Sequence, residues 1–269
     1  MCRRDALARA EALESAATPQ HLQWKALKAL AQGPLGKTVR LAVLSRAGAA
    51  RTVTLAVRDA SQYTWATERR PNTITQFRPG VWYVDLDRIT DAEFDDHLPS
   101  LAGASGIVFD LRGYPAHLKP QWMTHLSGGS LQSPLWQVPI VTRPDRKGWH
   151  LPTDQRWSLP PTEPRFTGKL AFLIDARTVS YAETTAGILE AYRLGALVGE
   201  PTAGTNGNIA PFKTPAGFMV SWTGMRVVRN DGTIHHGHGI QPTIVVHKTL
   251  AGVAEGRDEQ LEAAVRAVR

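Results

Sequence analysis

Leu170-Ala171-Phe172-Leu173-Ile174-Asp175-Ala176-Arg177-Thr178-Val179-Ser180-Tyr181-Ala182-Glu183 reads as a strand that runs into a helix. Its first five residues form a short unbroken apolar run, the pattern of a strand covered on both faces. Beyond Ser180, the residues Ala182, Ala186, Leu189 and Tyr192 recur at helical spacing. Ala196-Leu197-Val198 is the next apolar run, so strand 169–174, helix 180–194 and strand 196–198 together predict a β-α-β unit. Ser180 stands at the strand-to-helix junction, near the positive end of the helix dipole. Two roles fit that position. It suits a nucleophile, and it suits the N-cap of a Ser-x-x-Glu capping box closed by Glu183.

Upstream, Val81-Trp-Tyr-Val-Asp-Leu86 and Ile107-Val-Phe-Asp-Leu111 are further strand patterns. A short helix is expected over 91–98, and a helical stretch running to about Leu126. Residues 134–164 hold seven prolines and predict extended loop beside a cleft. The first part of the chain differs. Residues 5–30 read as helix with a restart at Thr18-Pro19, and Gly33-Pro34-Leu35-Gly36 stops it. Thr38–Leu44 and Arg51–Val57 then read as a hairpin across 46–50. The expected organisation is a first region over 1–60, a linker over 61–79 and a main α/β domain over 80–269. The chain ends with strand Ile244-Val-Val246 and a helix from Asp258 to Val268.

Composition narrows the class. The 269 residues are 42% hydrophobic and 20% charged, as in a globular domain with a substantial core. No apolar run is long enough for a membrane span. The basic start, Met1-Cys-Arg-Arg-Asp, has no apolar segment after it and is not a signal peptide, so the sequence as written predicts a cytoplasmic protein. If residues precede Met1, a periplasmic or extracellular location is expected instead. The net charge of +7 comes from scattered Lys and Arg without interleaved aromatics, which argues against nucleic acid. A single cysteine, Cys2, rules out an internal disulfide and a Cys-based zinc site.

Four blocks stand in order: Gly106-Ile-Val-Phe-Asp110-Leu-Arg112-Gly113-Tyr-Pro115; Ile174 to Glu183; Gly199-Glu-Pro-Thr202-Ala-Gly204-Thr205-Asn-Gly207; and Gly237-His-Gly239-Ile-Gln-Pro242, followed by Gly256-Arg-Asp258. Together they resemble the tail-specific, or C-terminal-processing, peptidases, a family that includes the tricorn core protease. The resemblance covers 81–268. The region before it is similar to the second half of a PDZ-type module. What the resemblance implies is a crotonase-like α/β catalytic domain with Ser180 as nucleophile and Glu183 one helix turn on. It further implies an oxyanion hole of two backbone N–H groups, those of Tyr181 and of Ala116 in the loop after the Asp-Leu-Arg strand. Backbone donors need no particular side chain, so alanine in place of the family's usual glycine is compatible.

The chain departs from the pattern at the general base. Members with a Ser-Lys dyad carry lysine about 25 residues after the serine, and here Thr205 stands there; a threonine is no base at neutral pH. Lys213 lies eight residues further on, beyond Pro211. A histidine base, as in the tricorn-like branch, leaves His97, His117, His125 and His150 upstream, and His235, His236 and His238 downstream. His236 and His238 sit where that branch has its assisting glutamate. The cluster with Asp231 also admits a metal reading, but neighbouring histidines on a strand point to opposite faces, so no metal is expected. Asp110 and Arg112 read as a structural pair at a strand end, and Gly204 and Gly207 as turn formers without the lysine of a phosphate loop.

The expected function is therefore serine-type hydrolysis of peptides or unfolded protein ends, without cofactor, by a Ser180 acyl-enzyme. The rival is a non-catalytic peptide-binding member of the same fold, favoured by the missing lysine. A crotonase-type acyl-CoA enzyme would share the oxyanion logic, but the sequence gives no sign of a nucleotide pocket.

Overall fold

The computed structural model describes residues 3–30, 32–45, 48–58, 69–145 and 147–269. Cys2, the centre of the first hairpin's turn and residues 61–68 of the expected linker lie outside the described residues. In chain order the elements are α1 (Arg3–Glu11), α2 (Pro19–Ala29), β1 (Thr38–Leu44), β2 (Ala50–Ala56), β3 (Ile74–Arg78), β4 (Val81–Asp85), α3 (Asp91–Ala102) and β5 (Gly106–Asp110). They continue with β6 (Leu131–Gln132), β7 (Leu135–Gln137), β8 (Ser158–Leu159), β9 (Lys169–Ile174), α4 (Tyr181–Ala191) and β10 (Ala196–Gly199). The last are β11 (Ile209–Lys213), β12 (Met219–Thr223), β13 (Arg226–Val228), β14 (Ile244–Val245), α5 (Leu250–Glu255) and α6 (Glu259–Ala267).

A six-stranded sheet, ordered β14-β10-β9-β5-β4-β3, organises the chain. Its pairs are parallel except β3 with β4, which closes one edge as an antiparallel hairpin. The apolar runs need cover on both faces, and they have it. On one face Val81, Tyr83, Val108, Ala171, Leu173 and Val198 pack against Ala263, Ala264 and Val268 of the C-terminal helix region. On the other, Val84, Ile107, Phe109, Phe172 and Ile174 meet Phe94 and Leu101 of α3, Trp122 and Met123, and Ala182, Ala186 and Leu189 of α4. Phe109 and Phe172 stack with ring centroids 5.4 Å apart.

The expected β-α-β unit is β9-α4-β10, with Ala196 to Gly199 paired parallel to Ala171 to Ile174. Two expectations need correction, and one region gains elements that the sequence reading left unassigned. The linker expected over 61–79 contains β3, whose polar and part-exposed residues conceal an edge strand. The stretch to Leu126 is one 3-10 segment, Pro120–His125, because Pro120 opens it and only two turns separate it from Leu126. Residues 205–228, not assigned to elements from the sequence, form the hairpin β11–β12 and the strand β13.

Parallel strands bring their carboxyl ends to one edge of the sheet, and the loops that leave those ends form a crevice there. Here they are 111–118 after β5, 175–180 after β9 and 200–208 after β10. The first hairpin, β1–β2, is a separate two-stranded sheet. Helix α2 instead docks on the crevice loops: Thr18 Oγ1 donates to Ala203 O at 2.8 Å, and Gln20 Nε2 donates to Thr202 O at 2.8 Å. Among the described residues, no helix is long and apolar enough to cross a membrane.

Candidate active site

Ser180 precedes α4 with φ 56° and ψ −115°, a left-handed conformation that a residue with a Cβ rarely adopts. Such a turn costs on the order of 1–3 kcal/mol and persists only where surrounding bonds enforce it. One of these is Ser180 N–H to Thr205 O at 3.0 Å. The side chain makes no capping bond to α4. The capping-box reading of Ser180 and Glu183 is thereby corrected: a capping serine has an extended backbone that turns its oxygen onto the helix, and this serine does not.

Glu183, expected to close that box, is fully buried and faces the loop after β10. Its Oε1 accepts the Thr202 hydroxyl at 2.5 Å and Gly204 N–H at 2.7 Å; its Oε2 accepts Thr205 N–H at 2.9 Å. Thr202 Oγ1 in turn accepts Ile240 N–H at 2.8 Å. Gly204 is required here, since its φ is +69° and a Cβ would meet Thr18 Cγ2 at 2.4 Å. His235, also fully buried, puts Nε2 3.1 Å from Glu183 Oε1 but off the axis of a hydrogen bond, and neither ring nitrogen has an aligned partner.

Ser180 opens onto a cleft of about 400 Å³ lined also by Val179, Thr205, Gly207, Ile209 and Ser221 to Thr223. Ser15 to Ala17, with His21 and Lys25 of α2, also line it. His21 is the residue that sequence reasoning missed. Its Nδ1 lies 2.7 Å from Ala176 O. A carbonyl can only accept, so Nδ1 carries the proton and Nε2 is the lone-pair nitrogen. The ring stacks on Trp24 with centroids 5.4 Å apart. Lys25 Nζ is engaged by Ser15 O at 2.7 Å and by Glu14 at 2.9 Å.

The histidines named from the sequence lie elsewhere. His236 and His238 do not line the Ser180 cleft. His238 is exposed, with Nδ1 3.1 Å from His236 O, and the rings of His235 and His236 stand edge to face 6.4 Å apart. The three rings therefore do not converge, and among the described residues no cluster of His, Cys, Asp and Glu is arranged to hold a metal ion. His97 bonds back to Glu93 O, His125 is buried against Phe166 with Nδ1 on Pro164 O, and the His150 backbone pairs with Ile140. Lys213 is exposed at the far end of β11.

Tyr114 to Pro120 and Tyr181, the residue after Ser180, line a second hollow of about 290 Å³ that includes Ala116 and His117. Tyr181 N–H, at the first position of α4, has no backbone acceptor among the described residues. Ala116 N–H is turned onto Tyr114 O at 2.7 Å. Tyr114 N–H is held by Asp87 Oδ1 at 2.9 Å. Burial, then Asp91 and Tyr114, push the Tyr181 phenol up, so it stays neutral and donates to Leu118 O at 2.9 Å.

Asp110 and Arg112 form the ion pair read from the sequence, at 2.6 Å and with no exposure. Arg112 also binds Asp258 at 2.7 Å and the Gln260 side chain at 3.0 Å, which ties the start of α6 to the end of β5. Burial alone would raise the Asp110 carboxyl, and the Arg112 guanidinium reverses this, holding it well below the carboxylate range.

With this geometry in view, the chain's likenesses are informative. The model of peptidase family S41 matches residues 74–246. No curated protein sequence matches the chain. Among solved structures, mature CPAF complexed with lactacystin is similar with a TM-score of 0.73 at 12% identity, over 98% of this chain and 74% of that one. The photosystem II D1 C-terminal processing protease is similar with a TM-score of 0.50 at 18% identity, over 91% of this chain and 63% of that one. At such identities the structural likeness establishes the fold.

Proposed function

This chain belongs to peptidase family S41, and from that premise we propose that it hydrolyses peptide bonds through a Ser180 acyl-enzyme with His21 as general base. One observation carries the reading. Ser180 and His21 line the same cleft, and the bond from His21 Nδ1 to Ala176 O leaves Nε2 as the proton acceptor. In the proposed step, Nε2 takes the Ser180 proton as Oγ attacks the substrate carbonyl carbon. Tyr181 N–H receives the negative oxygen, and Ala116 N–H joins it when its loop turns away from Tyr114 O. Protonated His21 then gives its proton to the leaving amine. Water repeats the sequence on the acyl-enzyme, with His21 again as base, and Ser180 is regenerated.

In this scheme Ala176 O fixes the tautomer of His21, the role a carboxylate has in other triads. Glu183 acts as a positioning residue, holding the loop that accepts Ser180 N–H. The non-catalytic alternative rested on the absent lysine, and His21 supplies an acceptor that needs none. Action on unfolded protein ends follows from the resemblance to tail-specific peptidases. The test is hydrolysis of unfolded casein by the parent chain, Ser180→Ala and His21→Ala. Both variants are expected to lose activity by roughly 10³-fold or more with little change in melting temperature. Undiminished hydrolysis by Ser180→Ala would refute the acyl-enzyme, and undiminished hydrolysis by His21→Ala would remove the assigned base.

A further inference from the structure

The loop after β5 carries Ala116, and two carboxylates from outside that loop hold it at both ends. Strands β4 and β5 run parallel with Asp85 opposite Asp110, so the residues shortly beyond them, Asp87 and Gly113, come together. Asp87 Oδ1 accepts Tyr114 N–H at 2.9 Å. At the other end Asp91, the first residue of α3, accepts Lys119 N–H at 2.8 Å. Asp91 N–H donates to His117 O at 3.2 Å, and Lys119 Nζ lies 3.1 Å from Asp91 Oδ2. Between these two anchors Ala116 N–H is engaged by Tyr114 O at 2.7 Å. That bond closes a three-residue turn around Pro115, whose ring sets φ near the value an inverse γ-turn requires. With φ fixed, Pro115 can turn the Ala116 N–H outward only through ψ, which swings Tyr114 away from His117. A segment anchored at both ends has no slack for that rotation.

We propose that Asp87 is a positioning residue for the reaction: its bond to Tyr114 N–H keeps the Ala116 N–H turned onto Tyr114 O, and loss of that bond frees the Ala116 N–H for the oxyanion. This rests on the peptidase reading of Ser180 and adds what governs the second donor. Of the two anchors, Asp87 is the one that can let go. Asp91 belongs to a helix whose start is fixed by the Thr90–Glu93 capping box, and it holds the loop through three contacts. Asp87 lies between β4 and α3 and holds the loop through the Tyr114 bond. Its own N–H donates to Asp85 Oδ1 at 3.0 Å. Its Oδ2 faces Arg70 Nη1 at 3.7 Å, and that guanidinium is committed to Asp85 at 3.1 Å. Gly113 leaves the room that the carboxylate occupies, since a Cβ there would meet Asp87 Cγ at 2.5 Å. The same bond can therefore be broken from either side, at position 87 or at position 113.

The test follows the Ala116 amide directly, by NMR of its exchange with water in the full chain isotope-labelled at alanine nitrogen. The signal is assigned by its loss in Ala116→Gly. A hydrogen bond to a carboxylate shifts a two-state equilibrium about tenfold or more, so Asp87→Ala is expected to speed the exchange about tenfold. The kcat for casein is expected to rise about tenfold with little change in KM, because the freed donor acts in the transition state. Gly113→Ala, which displaces the carboxylate without removing it, is expected to do the same. Asp87→Asn keeps an oxygen that can accept Tyr114 N–H and is expected to match the parent in both measurements. A merely structural role for Asp87 gives a lower kcat instead of a higher one. Parental exchange in either Asp87→Ala or Gly113→Ala, whichever folds, overturns the proposal, and so does faster exchange with an unchanged or lower kcat. Failure of the peptidase reading is separate: if the parent chain hydrolyses no casein, the catalysis is removed and the exchange rates alone decide whether Asp87 holds the loop.

Discussion

Replacing Glu183 tests whether the turn at Ser180 is enforced from behind. Its carboxylate accepts bonds from Thr202 Oγ1, Gly204 N–H and Thr205 N–H in a site without solvent exposure. Glu183→Ala leaves two backbone donors buried without acceptors, each costing about 1–3 kcal/mol, and adds a cavity. The sum, about 3–6 kcal/mol, is a large part of the stability of any domain. Glu183→Gln is the sharper experiment. Its amide oxygen can keep the Thr202 and Gly204 bonds, but its NH₂ then faces Thr205 N–H, donor against donor. Losing one charge-assisted bond and gaining that repulsion costs about 2–3 kcal/mol. In a chain of this size that lowers the melting temperature by roughly 5–10 °C. Thr205 O accepts Ser180 N–H, so a displaced Thr205 lets Ser180 leave its left-handed conformation. The kcat for casein is expected to fall at least tenfold at temperatures where the variant is fully folded, read by circular dichroism alongside the assay. A Glu183→Gln chain that melts with the parent and keeps its kcat would refute the argument that Glu183 enforces the turn.

Arg112→Met leaves Asp110 and Asp258 facing each other across a buried site, and a loss of about 3–5 kcal/mol is expected in urea unfolding. The same pair sets the acid limit of the fold. The folded Asp110 carboxyl is depressed, so its contribution is complete above the ordinary carboxylate value of about 4 and is lost as pH falls from there through the folded value. Melting temperatures between pH 5 and 2 should therefore decline for the parent and decline less for Asp110→Asn, measured against its own lower plateau. His236 has the opposite protonation chemistry and the same sign: burial, then the neighbouring His235, lowers it, so the folded state resists a proton that the unfolded chain accepts. Stability should fall as pH drops below about 6.5, and His236→Gln should flatten that part of the profile.

The strands of the central sheet were legible because both of its faces are covered. Val81–Asp85, Gly106–Asp110 and Lys169–Ile174 are nearly continuous apolar runs for that reason. The hairpin β11–β12 was not, because Ile209, Phe212, Met219 and Trp222 are exposed and their apolar character answers to no core. The Asp110–Arg112 pair was readable from its two-residue spacing at a strand end. The role of Glu183 was not. Ser-x-x-Glu is a local signal for a cap, whereas its actual partners, Thr202, Gly204 and Thr205, come from a loop beyond the next strand. Local pattern paired Glu183 with Ser180, whereas the fold pairs it with a loop distant in sequence.

The proposed base, His21, shows the same limit more sharply. Spacing from Ser180 directed the search to Thr205 and the histidines of the four blocks, because a lysine dyad is carried by the loop after β10. That loop does take part, but as a dock. Ala203 O accepts the Thr18 hydroxyl and Thr202 O accepts the Gln20 side chain, so α2 is seated on it with His21 one residue further along. Ala176 O, at the end of β9, then fixes the ring. The carboxylate of Glu183 holds this loop from the other side. One loop therefore sets three things together: the Ser180 backbone, the approach of α2 and the wall of the cleft. If His21 is the base, a threonine in place of lysine at position 205 costs the site nothing, provided α2 is docked. Whatever loosens α2 should then remove activity with Ser180 intact, a dependence that no motif around the serine can display.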